Sequence, residues 1–379
     1  MKQLLPLLAF LAVQLVGCAA AKGGKGVATD AAKQPAVVSD EPKWTRLQSE
    51  HFDLATDLGE TDALRAAEAL ETTRAAMLSA AWPGASDALA ARTSVVVFQD
   101  GLDFLHFFEN IAAIYVQLVR PTIVLWGKPD YWEQKTGVNA EASSSLLRHE
   151  LTHRLASAIY VRQPRWFSEG LAQFLETLTV SADGTTATLG EVDPDALRSY
   201  RRVRVSASDA LAWQSYAEAD QKTLQGLYGI SWLMVHFLYD KRGNEFDAFQ
   251  RALIRGVAPE QAWKKSFGAL PPEVLDAQLF EYAKRASFKK VAIPIERTSV
   301  QPITKATITE ADVHAIRAQL ALSGAATRER AGLGDEAQRE IERALALEPA
   351  NPLAVRLLLS TGKRVPSNDL GARVRAQLA

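Results

Sequence analysis

The pentapeptide His149-Glu150-Leu151-Thr152-His153 constrains this chain of 379 residues more than any other stretch. On an α-helix, residues four apart lie one turn above each other on the same side, so the two imidazoles can reach one metal ion. The chemistry therefore asks for a helix here. Glu150 follows His149 by one position, about 100° around the helix, which puts it beside the metal without being on the ligand line. A general base is needed at that place. Leu147, Leu151 and Leu155 form a stripe on roughly the opposite side. A helix from about residue 140 to 160 would thus bury leucines against a sheet and turn His149, Glu150 and His153 toward a cleft. A random chain of this length contains such a pentapeptide with a probability on the order of 1%, so a second feature has to corroborate it.

That feature is Trp166-Phe167-Ser168-Glu169-Gly170, which follows the turn Val161-Arg162-Gln163-Pro164. A tetrahedral catalytic zinc takes three protein ligands and keeps a fourth position open, so two histidines are incomplete. Glu169 is the candidate third ligand. Fifteen residues separate it from His153, enough to end one helix, turn and return the next helix to the same cleft. On the second helix Glu169, Gln173 and Glu176 share one face, while Phe167, Leu171, Phe174, Leu175 and Leu178 populate the other. Spacing alone leaves two readings of Glu169 open: a ligand, or a solvated carboxylate favoured by the helix dipole.

The N-terminus carries a different signal. Lys2 precedes an apolar run from Leu4 to Val16, too short to span a bilayer, ending in Leu15-Val16-Gly17-Cys18. This resembles a bacterial lipobox, which implies lipidation of Cys18 and a place in the bacterial cell envelope. Ala19 after the cysteine implies the outer membrane, facing the periplasm. Cys18 is the chain's sole cysteine, so no disulfide can form within it and the fold has to be held by its core and its metal. Residues 19–43, rich in Ala, Gly, Lys and Asp, read as a flexible tether.

The rest has ordinary globular composition, 47% hydrophobic and 23% charged, with a net charge of -1. Without a basic run there is no electrostatic case for a nucleic-acid partner. Alternation over 51–56, the β-branched run 93–98, and segments 111–117 and 121–126 read as strands, and residues 61–82 as an amphipathic helix. His51 and His106 lack partners at metal-binding spacing and read as solvated or hydrogen-bonded side chains. Asp183-Gly184 centres a hairpin over 180–189. A strong helix over 224–239 carries Tyr228, the candidate oxyanion-stabilising residue, with His236 behind it. A stripe of aromatic core is the competing reading of that helix. There is no nucleophile elbow, P-loop or dinucleotide fingerprint.

The run Leu147 to His153, followed by Pro164-Arg-Trp-Phe-Ser-Glu-Gly-Leu-Ala172, resembles the peptidase MA-like group of gluzincin metallopeptidases, which share a thermolysin-like catalytic core. The resemblance implies Zn2+ held by His149, His153 and Glu169, with Glu150 as the base, and a peptide or protein substrate. It runs from the strand near His51 to about Arg285, and it is specific in the two motifs. One departure is Gln173, where an acidic partner for a zinc histidine is common. The expected architecture is α+β: residues 1–18 a lipoprotein signal, 19–43 the tether, 44–290 a zincin-like catalytic domain and 291–305 a linker. Residues 306–379 form a small all-α segment. In it Ala337, Ile341, Ala344 and Pro349 match the second helix of a tetratricopeptide repeat. One repeat cannot bury its own face, so this segment is expected to dock on the catalytic domain, with binding of a protein partner as the other reading. Two rival classes remain for the whole chain: an inactive zinc-binding lipoprotein acting as a scaffold through its C-terminal helices, and a structural envelope protein with an accidental motif.

Overall fold

The computed structural model describes residues 43–85, 91–109, 111–136, 142–216, 219–268, 270–296, 301–326 and 332–362. Cys18, the expected signal and tether, and the last part of the C-terminal helical segment lie outside those residues.

Strands β1 (Thr45–Gln48) and β2 (Phe52–Thr56) lead into helix α1 (Glu60–Ala81), then β3 (Thr93–Phe98) and α2 (Gly101–Phe107). Strands β4 (Ile114–Val116) and β5 (Thr122–Trp126), the short α3 (Pro129–Trp132) and the paired strands β6 (Glu133–Thr136) and β7 (Ala142–Ser145) follow. The motif helices are α4 (Leu146–Ile159) and α5 (Arg165–Glu176). Beyond them come the hairpin β8 (Thr179–Val180) and β9 (Thr186–Leu189), then α6 (Pro194–Arg202), α7 (Ala207–Ala212) and α8 (Gln221–Lys241). Helices α9 (Gly243–Ile254), α10 (Pro259–Phe267) and α11 (Pro272–Arg285) close this part. The chain ends with β10 (Val291–Pro294), β11 (Thr304–Ala306), α12 (Glu310–Ala326), α13 (Leu333–Leu347) and α14 (Pro352–Ser360). The fold is α+β.

The main sheet has the order β11-β1-β2-β3-β5-β4. Strands β2, β3 and β5 run parallel at its centre, and β4 closes one edge antiparallel to β5. The centre is buried on both faces, as parallel strands require. Because side chains alternate along a strand, Val95, Val97, Ile123 and Leu125 enter one core with α1 and α4. Val96, Phe98 and Val124 enter a second core with α2, α12 and α13. The sheet is thus the middle of three layers. Each fully buried aliphatic contributes at most about 1.5–3 kcal/mol, and α4 adds Leu147, Leu151 and Leu155 to the first core. The motif helix is therefore anchored by its leucine stripe.

Helix α4 starts at Leu146 rather than near residue 140, because residues 142–145 pair as β7 with β6. The Ser145 side chain then caps it by accepting from the Arg148 backbone N–H. The segment expected as a linker is also different. Val291–Pro294 pairs with β9 and Thr304–Ala306 pairs with β1, so both pieces extend sheets. These strands are too short and too exposed to show an apolar pattern.

The C-terminal helices share the sheet's second core. Leu320, Ala321, Leu333 and Ala337 pack with Phe104, Phe107 and Val124. Ile341 and Ala344 instead join α12 to α14. Gln319 Nε2 donates to Arg120 O and Thr122 Oγ1, both at 2.9 Å. At Gly324 a Cβ would stand 2.3 Å from Phe107 O. The absence of a side chain there is what lets α12 lie against the loop after α2.

Helix α8 is buried for most of its length, from Gly226 to Leu238. A helix that is apolar all round belongs in a core. It packs against α5 and α6, and it gives α5 its second wall.

Candidate metal centre

Helices α4 and α5 bring His149, His153 and Glu169 together from the inside. All three are buried, and a donor atom from each lies within 4.8 Å of the others, so the group could hold a metal ion. Glu169 Oε2 is 3.8 Å from His149 Nε2 and 3.7 Å from His153 Nε2. Zinc–ligand bonds of the usual length at tetrahedral angles put donors about 3.3 Å apart. Both glutamate–histidine spacings lie a little above that value.

Each member is oriented by a further contact. His149 Nδ1 lies 2.7 Å from Glu176 Oε2. With that N–H donated, Nε2 carries the lone pair that a metal ligand needs. Ser168 Oγ lies 3.3 Å from His153 Nδ1. The Tyr216 hydroxyl donates to Glu169 Oε1. The Tyr115 main chain, on the edge strand β4, acts to lower the Glu150 pKa. Glu150 Oε2 is buried without a hydrogen-bond partner among the described residues. A buried carboxylate oxygen in that state is unusual.

The electrostatics fit the same assignment. Burial pushes Glu150 up to about 7, with His149 opposing the shift and Glu169 adding to it. Burial also pushes His153 down to about 4, which keeps the imidazole neutral. Burial acts to raise Glu169 as well, but His153, His149 and the Tyr216 hydrogen bond overcome it and hold the carboxyl at about 2. A neutral His153 imidazole and an ionised Glu169 carboxylate are protonation states that a divalent cation requires of its ligands.

Arg148 ties the two helices together. Its Nε donates to the Glu176 carbonyl at the C-terminal end of α5, and its two terminal nitrogens meet the Glu133 carboxylate at 3.0 and 2.9 Å. A cation at a helix C-terminus also complements the dipole. Beside His153 opens a cavity of about 700 Å3, lined among others by Gln117, Ser157, Gln163, Trp166 and Trp263.

Tyr228, expected at the site from its place on α8, packs with Trp213, Leu224 and Leu227 in an apolar cluster. Its ring meets Trp213 edge-on, and Trp213 in turn meets Tyr216. His236 is core as well, hydrogen-bonded to Gly190 O and the Tyr282 hydroxyl. The tyrosine that reaches the cluster is Tyr216, from the connection between α7 and α8. The acidic partner missing at Gln173 is supplied by Glu176, one turn later on the same face of α5. That shared face is visible as periodicity in the sequence, whereas nothing local marks Tyr216, 47 positions from Glu169.

A family model described as a protein of unknown function (DUF1570) matches residues 143–256. The match spans α4, α5 and α8, which contain or pack against every residue of the cluster. A search of curated proteins found no match to the chain.

Proposed function

We propose that this chain is a zinc-dependent metallopeptidase of the gluzincin type, with a thermolysin-like catalytic core. The observation that carries this reading is the convergence of His149, His153 and Glu169 with the buried Glu150 carboxylate beside them.

Zinc bound by His149, His153 and Glu169 would act as a Lewis acid toward a peptide carbonyl and acidify water at neutral pH. Glu150 is the proton carrier. Its raised pKa lets the carboxylate accept a proton from the attacking water near neutral pH and release it to the departing amine. The Tyr115 main chain acts on this carboxylate from the edge strand, and β4 is the last strand of the main sheet among the described residues. An extended peptide can add to such an edge, which would set the scissile bond over Glu150. The lipobox reading belongs with this proposal: Cys18 would anchor the enzyme in the bacterial cell envelope, where its substrate is a peptide or protein. The C-terminal helices act there as part of the catalytic body, since they cover one face of its sheet.

The test has two arms. Purified protein is expected to carry about one zinc per chain by elemental analysis, and His153→Ala to lose it. On a broad peptide library, Glu150→Gln should cut turnover by roughly 10²- to 10⁴-fold, the usual contribution of a general base, while still binding zinc. Absence of stoichiometric zinc from the wild type rejects the metal centre. Equal cleavage by wild type and Glu150→Gln rejects the peptidase.

A further inference from the structure

Glu169 uses its two oxygens for different tasks. Oε2 faces the two histidine Nε2 atoms at 3.8 and 3.7 Å, while Oε1 accepts the Tyr216 hydroxyl. Glu169 is fully buried, so water does not compete for either oxygen. A desolvated carboxylate oxygen that loses its donor turns to the nearest positive charge. In a loaded site that charge is the metal, and a carboxylate that swings both oxygens onto it occupies one more coordination position. A catalytic site needs that position open.

The tyrosine is held firmly enough to impose this division. The Arg165 guanidinium lies 4.2 Å over the centre of its ring, and Arg165 Nε donates to Gln214 O at 3.0 Å, fixing the backbone two residues earlier. Trp213 meets the ring edge-on, with centroids 5.4 Å apart, and is itself pinned by its indole N–H to Ser215 O. A cation over the ring also draws electron density from the phenol and strengthens its O–H as a donor. On the other side, Gly170 packs α5 directly against the backbone of α8 at Ser231, which leaves the Glu169 main chain little freedom to follow a moving side chain.

We propose that Tyr216 is a positioning residue that restricts Glu169 to ligation through one oxygen, so that the metal keeps an open position for water and substrate. This rests on the metal-centre reading above. Arg165 and Trp213 are the frame that holds Tyr216 in place. The role is not that of an oxyanion donor, because the hydroxyl is engaged by the ligand itself.

Cobalt(II), whose absorption reports coordination number, is the probe, titrated into the metal-free full-length protein. Wild type is expected to give the intense visible bands of a four-coordinate site. In Tyr216→Phe, with both Glu169 oxygens on the metal, those bands should fall roughly twofold or more as the geometry expands. Affinity for cobalt, read by chelator competition, should fall by about 10- to 100-fold, as for other residues that orient a ligand. Arg165→Met leaves the phenol in place but loosens it, and should shift the spectrum the same way by less. Tyr228→Phe removes a hydroxyl from the same aromatic cluster and should leave the spectrum unchanged. If wild type binds cobalt while Tyr216→Phe and Arg165→Met match it in both spectrum and affinity, the inference is overturned and the metal centre stands. A wild type that takes up no cobalt removes the metal centre and the inference together.

Discussion

Residues outside the His149, His153 and Glu169 cluster decide how well it can hold a metal, and Glu176 is the clearest case. Its carboxylate lies 2.7 Å from His149 Nδ1, fixing the tautomer and making Nε2 a better donor. Glu176→Gln keeps the shape and can still accept that N–H, but the charge is gone. The expected result is a 10- to 100-fold loss of zinc affinity, measured by chelator competition, with little change in thermal stability because the residue sits at the rim of the cluster. Glu176→Leu should lose more, since it leaves a buried N–H without an acceptor. Of the residues that orient the cluster, Glu176 could be read from sequence because it shares a helical face with Glu169. Tyr216 and Tyr115 could not. They reach the site from a loop and a strand edge, and no periodicity links them to the motif.

At the scale of elements, the site depends on how closely α5 lies on α8. Gly170 is the contact point: a Cβ there would stand 2.3 Å from Ser231 O and 2.9 Å from the Val235 side chain. The first clash is with backbone, so one of the two helices has to move. Gly170→Ala should cost about 1–3 kcal/mol as an overpacking substitution, visible as a lower urea midpoint. Because Glu169 is the adjacent residue, zinc affinity should fall with it, which a merely local packing defect elsewhere on α8 would not produce. The helices themselves are well marked in the sequence, since amphipathic periodicity and Pro164 define α5 and the leucine stripe defines the buried side of α4. Strand β4 lies within the expected strand 111–117 and pairs with its neighbour β5. β10 and β11 are four and three residues long, and their pairing is decided by distant partners. The expectation that the histidine face of α4 looks into a cleft also gains detail, because His149, Glu150 and His153 are all buried and a cavity opens beside His153.

Across the whole molecule, the main sheet and the C-terminal helices share a core, and Asp53 stands at their junction. Arg46 of β1 grips its carboxylate through two hydrogen bonds at 2.7 and 2.6 Å, and Arg120, from the connection between β4 and β5, adds another. The Arg120 carbonyl in turn accepts from Gln319 of α12. Burial acts to raise the Asp53 pKa, but the two arginines outweigh it and hold the carboxyl below its ordinary 3.8. A carboxylate whose folded pKa is depressed binds protons more readily in the unfolded chain. Its stabilisation is therefore complete above the unfolded value near 3.8 and is lost as the pH falls through the lower folded value. Asp53→Asn should destabilise the protein by about 1.5–3 kcal/mol at pH 7, the range for hydrogen bonds to a charged group. The gap in unfolding temperature between wild type and variant should persist down to about pH 4 and close below it. A gap that stays constant to pH 2 would mean that packing around residue 53, rather than its charge, joins the two parts. Because the second sheet face is apolar and covered by α12 and α13, loosening this junction should also expose Val96, Phe98 and Val124. The variant is then expected to bind a hydrophobic dye at temperatures where the wild type does not, reporting separation of the helices from the sheet before the metal centre unfolds.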